Sequence, residues 1–156
     1  MLNIDFSYDS NLDGLDERVK LAIAKKLLSL TTLMHDKVIE NISGKILQQK
    51  TGQLISSIQQ RTDTNSNPMV GEVYVEPATA KAWALEKGGE REYQILPTKA
   101  EVLRFYWDKI GQVVSFHSVN HPPSREFAYL KAALLEMETL APEGLQAAID
   151  EALEGR

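Results

Sequence analysis

The sequence predicts an α+β domain in which helices lie around a small antiparallel sheet. Two patterns lead to this class: apolar residues recur every three or four positions near both ends of the chain, and they alternate with polar residues in the middle. A length of 156 residues with 43% hydrophobic residues fits one domain that folds without disulfides. The predicted order is a long N-terminal helix, a short second helix, the sheet and C-terminal helices.

The N-terminal part contains the longest helical pattern. Residues 1–14 are predicted to form an irregular lead-in, with a short strand at Leu2–Phe6. A helix then extends from Leu15 to Ile42, and Gly44 is its predicted stop. This helix is roughly 40 Å long at 1.5 Å per residue, which exceeds what a small core needs, so one end is expected to project or to pack on another subunit. Its apolar face comprises Val19, Ile23, Leu27, Leu30, Met34, Val38 and Ile42.

A second, shorter helix is predicted next. Thr51 is a candidate N-cap, because its hydroxyl can accept from an amide of the first turn. Leu54, Ile55 and Ile58 supply the apolar face of this helix. The polar stretch "RTDTNSNP" (61–68) is dense in turn-forming residues, and its end is expected to be a surface loop.

The middle of the chain has strand patterns. "VGEVYVEP" places Val73 and Val75 on one face of a half-buried strand that ends at Pro77, and a short helix or turn follows over 78–89. "VLRFYW" and "QVVSFHSV" are joined by the turn "DKIG" and are predicted to form a hairpin.

Aromatic residues cluster in and near this hairpin, and two roles are open to them. They could stack on nucleic-acid bases, or they could belong to the core. Alternation puts Phe105 and Trp107 on one face, and no basic groove accompanies them, so the core is the favoured interpretation. The cluster consists of Tyr93, Phe105, Tyr106, Trp107 and Phe116.

The stretch "VNHPPSREF" (119–127) marks the passage from the hairpin to a helix. Pro122 and Pro123 hold the backbone extended, so the strand cannot continue pairing beyond them. Ser124 is predicted to cap the helix, with residues 125–127 in its first turn.

The C-terminal end is predicted to form a separate helix. Pro142 is expected to break the helix that precedes it. Six acids and one Arg after residue 135 give this end a charge of −5, which equals the charge of the whole chain. Residues 143–156 are therefore expected to form a peripheral helix, because their charge opposes burial.

The composition excludes several classes of protein. The chain has no cysteine, which removes disulfides, thiol nucleophiles and cysteine metal sites. Its first residues lack the basic and apolar segments of a signal peptide, and no apolar run is long enough to span a membrane. No basic stripe accompanies the net charge of −5, so the electrostatic signature of a nucleic-acid-binding protein is missing.

No catalytic, cofactor-binding or metal-binding residue is predicted. His117 and His121 straddle the end of a strand, and no HExxH motif is present. Acid pairs such as Glu136 and Glu138 are neighbours on one helix, whereas general acid–base catalysis needs carboxylates that face each other across a cleft. The sequence also lacks GxSxG, Walker and dinucleotide-binding patterns. We therefore expect a protein that is not an enzyme and binds no cofactor.

Five stretches, taken in order, carry a family resemblance: "KTGQLISSI", "GEVYV", "KAWALEKGG", "YQILPTKAEVLRFYW" and "GQVVSFHSVNHPPSREFAYLKAAL". Together they resemble the minor tail-component proteins of tailed bacteriophages, known as tail-completion or head–tail joining proteins. The resemblance covers residues 49–135. Pro123 departs from the pattern, which more often has Gly there, and Glu126 precedes Phe127 where Pro is common. The matching residues are Thr51, Gly52, Leu54, Ser57, Ile58, Glu86, Gly88, Ile95, Pro97, Ala100, Leu103, Phe105, His121, Pro122, Phe127 and Leu130.

The resemblance implies a structural virion protein of the neck or upper tail. Such a protein completes the tail and joins it to the head as part of a homo-oligomeric ring, for which six subunits is one candidate size. Its other partners are neck and tail proteins, and DNA can pass through the ring without sequence-specific binding. The resemblance implies no membrane, cofactor or small-molecule substrate. It places the protein in the virion, and in the host cytoplasm during assembly.

The stiff stretch after the hairpin is the candidate subunit contact, because a preorganised loop loses less entropy on binding. A purely structural role in turning the chain is compatible with that function. The candidate contact residues are Asn120, His121, Pro122, Pro123, Ser124, Arg125 and Phe127.

Two other functions stay open at this point. One is the tail terminator, a different ring protein of the same neck, which position in the particle would distinguish. The other is a small cytosolic regulatory module that binds one partner, which would not associate with virions.

Overall fold

The computed structural model describes residues 2–8, 16–46, 52–77, 79–89 and 91–154 and confirms the α+β class. Two helices of 26 residues each, α1 and α4, are the largest elements. The elements in chain order are β1 (Leu2–Tyr8), α1 (Glu17–Ile42), α2 (Gln53–Ser57), β2 (Ile58–Asp63), β3 (Met69–Val75), α3 (Ala80–Lys87), β4 (Tyr93–Ile95), β5 (Leu103–Trp107), β6 (Gln112–Phe116), β7 (Val119–His121) and α4 (Tyr129–Glu154).

Helix α1 forms where the apolar period predicts it. The Asp16 carboxylate accepts from Arg18 N at 2.9 Å and caps the first turn, and the helix ends at Ile42, just before Gly44. All seven predicted apolar positions are at most 4% exposed. Helix α4 and strands β2 and β3 pack against α1. The apolar face of α1 therefore does not project, because the chain itself covers it from Val19 to Ile42, and packing of α1 on another subunit stays a prediction.

A three-stranded antiparallel sheet, in the order β1-β3-β2, forms the layer beneath α1. In the central strand β3, Val73 and Val75 are 0% and 1% exposed, as their alternation predicted. Strand β1 pairs with β3 from Leu2 to Tyr8. The predicted irregular lead-in with a short strand at Leu2–Phe6 is thus wrong in extent, since pairing with β3 orders two more residues; residues 9–14 lie outside the described part.

Strand β2 was not predicted. Ile58 begins this strand instead of completing the apolar face of α2, and it is the buried residue of the strand. The remaining side chains are mostly exposed, because β2 is an edge strand held to β3 through its backbone. Helix α2 is short, and its N-cap is Gly52 at φ 68° rather than Thr51, which lies outside the described residues.

Helix α4 is continuous, so the predictions of a break at Pro142 and of a separate C-terminal helix are wrong. Pro142 lies inside the helix, and residues 143–154 continue it. The peripheral position of these residues stays a prediction. Ala141 and Leu145, on either side of the proline, are 6% and 5% exposed in the core. Packing on both sides offsets the hydrogen bond that proline removes. The acidic residues lie largely on the exposed faces, so their charge does not oppose burial of the apolar face.

A two-lysine contact links α1 to α4 near the start of α4. The Lys37 and Lys45 ammonium groups both donate to the Glu136 carboxylate, the latter at 3.0 Å. Both ammonium groups, and Lys37 more strongly, hold the pKa of the Glu136 carboxyl below its usual range. Glu136 is therefore already paired within the chain.

The predicted hairpin forms, but it does not pack as predicted. Strands β5 and β6 pair around the turn at residues 108–111. "QVVSFHSV" is not one strand: β6 ends at Phe116, and β7 pairs instead with β4, which was not predicted. Phe105 and Trp107 are exposed, so the prediction that they face the core is wrong. The core is formed by α1, α4 and the three-stranded sheet, and none of the elements in the described ranges packs as a layer over the hairpin.

Replacing Leu145 by Ala tests the packing of the C-terminal half of α4. We expect the free energy of unfolding, measured by urea denaturation, to fall by about 2–5 kcal/mol, because the change leaves a cavity against α1. Leu153→Ala is the matched control on the same helix; Leu153 is 42% exposed, and its loss should cost no more than about 0.5 kcal/mol. Equal, small losses would mean that this half is peripheral after all.

Candidate functional site

The candidate contact loop begins in strand β7, which is fixed by its partner β4. Tyr93 pairs with His121, and their rings stack with centroids 4.9 Å apart and planes at 18°. His121 Nδ1 lies 2.7 Å from the Pro122 carbonyl oxygen. Since a carbonyl only accepts, Nδ1 carries the hydrogen of this bond. The histidine therefore closes the end of the strand onto the first proline.

The loop then runs along the end of helix α3. Gly89 N donates to Ser124 O at 2.9 Å, and Phe127 N donates to Leu85 O at 2.9 Å. If a helix began at Ser124, its carbonyl would accept from Ala128 N, but it accepts from Gly89 N, and Ala128 N donates to Glu86 O at 3.1 Å. The prediction that Ser124 caps α4, with residues 125–127 in its first turn, is therefore wrong: the helix begins at Tyr129.

Helix α4 receives its N-cap from α3. Ala128 accepts the first helical hydrogen bond from Ala132 N, but an alanine side chain cannot cap. The Glu86 carboxylate takes this role and accepts from Leu130 N at 2.8 Å and from Lys131 N at 3.0 Å. Glu86 is 7% exposed. Its negative charge at the positive end of a long helix is stabilising, and the two amides satisfy a carboxylate that would be costly to bury alone.

Gly88 lets the loop approach α3 closely. Its φ is 75°, a conformation that residues with a side chain rarely adopt. A Cβ atom at this position would lie 2.9 Å from Ser124 O and 3.0 Å from Glu126 N. We call the contact between residues 85–89 and residues 124–131 the α3–α4 junction.

Helix α1 also reaches this junction. Asn41 is fully buried and donates from Nδ2 to Tyr129 O at 3.0 Å. The Tyr129 side chain is fully buried as well, and its hydroxyl has no hydrogen-bond partner among the described residues. Burial, together with the nearby Glu86 charge, raises the pKa of Tyr129. The start of α4 is thus held by α1 and α3 together.

The side chains of the predicted contact loop differ in exposure. Those of Asn120, Pro122, Pro123 and Arg125 are exposed, whereas His121, Ser124 and Phe127 are half-buried. The Arg125 guanidinium lies over the Phe127 ring at 5.7 Å. The junction and the β4–β7 pair fix the backbone while four side chains point to solvent. The contact role of this loop stays a prediction.

Sequence reasoning missed a second exposed surface, on the hairpin. The β5–β6 register puts Leu103, Phe105, Trp107, Val114 and Phe116 on one face, which we call the aromatic face. Phe105, Trp107 and Phe116 are 39%, 40% and 37% exposed. The Phe116 ring lies 6.1 Å from Phe105 and 6.2 Å from Trp107. A signal was present in the sequence: Tyr106 and Val113 place large apolar side chains on the opposite face too, beside Arg104 and Ser115, and one core cannot cover both faces.

The described residues offer little for catalysis or metal binding. No group of three or more His, Asp or Glu residues among them could hold a metal ion. The groove between α1 and α4 is lined by Arg18, Lys25, Lys26 and one acid, Glu151, so it has no facing pair of carboxylates. None of the helices in the described ranges is long and apolar enough to cross a membrane.

No family model, curated protein or solved structure matches this chain. The resemblance to phage tail-completion proteins therefore depends on the sequence pattern. The geometry adds one fact about that pattern: its Glu-x-Gly piece, with Glu86 and Gly88, meets its last piece, with Phe127 and Leu130, at the α3–α4 junction.

Replacing Glu86 by Ala tests the cap. We expect a loss of about 1–3 kcal/mol in unfolding free energy, because two amides of α4 lose their acceptor. Glu86→Gln keeps one acceptor oxygen and should lose less. Glu126→Ala is the control, since Glu126 is exposed and should change stability by less than about 0.5 kcal/mol. Urea unfolding curves measure all three, and similar values for Glu86→Ala and Glu126→Ala would contradict the cap.

Replacing Gly88 by Ala tests the close approach. Gly52→Ala is a matched control, because Gly52 also has a positive φ, 68°, but has no atom within 4 Å of the added Cβ. The control should cost about 1–2 kcal/mol from backbone conformation alone. Gly88→Ala should cost more, since the backbone of residues 124–126 must also move. Thermal melts of both variants would show the difference, and equal losses would mean that the loop does not press on Gly88.

Proposed function

We propose that this chain is a structural protein of a tailed-phage neck or upper tail, where it completes the tail and joins it to the head. It acts as one subunit of a homo-oligomeric ring that contacts other neck and tail proteins. DNA passes through the ring without sequence-specific contacts. The starting point is the resemblance over residues 49–135.

The observation that carries the proposal is the α3–α4 junction. The pieces of the family pattern are short, and each one alone is weakly specific. In this fold, two of them interlock: Glu86 accepts from Leu130 N, and Gly88 makes room for Ser124. Short motifs that match by chance have no reason to complete one another in space. Their contact supports the interpretation that the pattern is one structural unit.

The aromatic face of the hairpin gives separate support. Large exposed apolar patches on a folded chain mark surfaces that bind other proteins. Phe105, Trp107 and Phe116 form such a patch on the hairpin that precedes the predicted contact loop in the chain. A ring subunit covers such a surface when it assembles. A cytosolic module that binds one partner would also use it, and this makes that module the second candidate.

Deleting the gene from the phage or prophage genome that encodes it tests the proposal. We expect electron micrographs of the lysate to show filled heads beside unattached tails, because the joining ring is missing. Abnormally long tails would assign the terminator role instead. Expression of the wild-type gene in trans is the control and should restore complete particles. Normal infectious particles after deletion would overturn the virion function, and affinity capture would then be directed at a cytosolic partner.

A further inference from the structure

We infer that the aromatic face of the hairpin binds the outer face of helix α4 on a second copy of this chain, in a head-to-tail contact. The inference deepens the proposed function and rests on it in one respect, that copies of the chain form a closed assembly. The outer face of α4 consists of Leu135, Glu138, Pro142 and Leu153.

The hairpin needs a partner for physical reasons. A two-stranded sheet is marginally stable alone and usually packs an apolar face on another layer. The three aromatic side chains of the aromatic face are more than a third exposed, and none belongs to the core cluster of the chain. Burial of such a face against another protein would supply the missing layer.

Helix α4 offers a surface of suitable chemistry. Leu135, Glu138 and Pro142 lie on one side of the helix, at helical spacing. Leu135 and Leu153 are 53% and 42% exposed. Two leucines and Pro142 are thus open to solvent on this side of α4, with the acidic Glu138 between Leu135 and Pro142.

The parts of the chain that contain the two surfaces carry opposite net charges, although Glu136 of α4 is paired with Lys37 and Lys45. Residues 91–125, which contain the hairpin, have five Lys or Arg and three acids, whereas residues 129–154 have six acids and one Lys. Within the described part of the chain, Arg91, Lys99 and Lys109 form no ion pair, and neither do Glu138 and Glu143. Opposite net charges favour a contact between the hairpin region of one copy and α4 of the next.

The same charges argue against a contact between two hairpins. That arrangement would bring two positive regions together and leave the acidic helix unused. When the two surfaces in contact lie on different elements of the chain, the contact is heterologous. Repeated contacts of this kind close into a ring if the rotation between successive copies allows it.

Single-stranded nucleic acid is a weaker candidate for the aromatic face. The Phe116 ring is tilted 35° to Phe105 and 70° to Trp107, so the three rings do not form a parallel stacking platform. Arg104 pairs with Ser115 and lies on the opposite face of the hairpin. The aromatic face thus lacks the basic groove that follows a nucleic-acid backbone.

Two variants of the full chain test the contact. The hairpin variant carries Phe105→Ser and Trp107→Ser, and the helix variant carries Leu135→Ser and Glu138→Lys. All four side chains are exposed, so both variants should fold, which thermal melts will check. Two controls match them: Tyr106→Ser changes the opposite hairpin face, and Leu28→Ser removes a leucine that is 56% exposed, much like Leu135 at 53%.

Light scattering over a concentration series provides the measurement. We expect the wild type and both controls to associate, and each interface variant to associate on the order of tenfold more weakly or not at all. Mixing the two variants should produce a dimer and nothing larger. The helix variant supplies an intact hairpin, the hairpin variant supplies an intact α4, and no second contact can form.

Several results would overturn the inference. They are a wild type that stays monomeric up to its solubility limit, controls as impaired as the variants, a helix variant that self-associates through its hairpin, and binding of an oligonucleotide that requires Phe105 and Trp107. The proposed function fails separately. Head-to-tail association of the purified chain, combined with normal particles after gene deletion, would disprove the virion function and leave the contact standing.

Discussion

The Glu86 carboxylate at the start of α4 is the interaction on which the arrangement of the domain depends. Helix α4 follows a loop that contributes no capping side chain at its end, and Ala128 just before the helix has a φ of 49°, which is unfavourable for alanine. Glu86 supplies the missing acceptor from another element, so the first turn of α4 forms where α3 places it. That position brings α4 alongside α1, where Asn41 binds Tyr129 O, and the core closes between the two helices.

The described residues form one part that shares a buried core and another part that lies outside this core. Helices α1 and α4 and the three-stranded sheet share one core, and the chain itself covers the apolar face of α1. The two-stranded pairs β4–β7 and β5–β6 lie outside that core, and no helix or sheet among the described residues forms a layer over the β5–β6 pair. The residues that form the core are therefore different from those that form the exposed apolar surface of the hairpin.

The elements that were predicted correctly from the sequence pack one face on the core, and that face determines how often their apolar residues recur. Helix α1 and strand β3 both face the core, so their apolar residues recur at 3.6 and 2 positions. Strands β2 and β4 were not predicted, because backbone pairing holds them to their neighbouring strands and their side chains are mostly exposed. The predictions for Pro142 and Ser124 were wrong for a related reason. Packing on α1 overrides the tendency of Pro142 to break a helix, and backbone bonds to α3 override the tendency of Ser124 to cap one. The aromatic face shows the limit most clearly: alternation reveals that Phe105 and Trp107 share a face, but not what that face meets.

The loop between β7 and α4 is held by its backbone, and this has a consequence for substitutions. The bonds that fix it join main-chain atoms of Ser124 and Phe127 to main-chain atoms of Gly89 and Leu85, so they do not depend on the identity of the exposed side chains. Pro123, Arg125 and Glu126 can be exchanged with little effect on the fold, provided that the backbone keeps its course. Substitutions at these positions can therefore change the exposed side chains of the loop while the scaffold remains the same. Chains that share Glu86, Gly88 and the helix start that they hold can in this way differ in the surface that the loop presents.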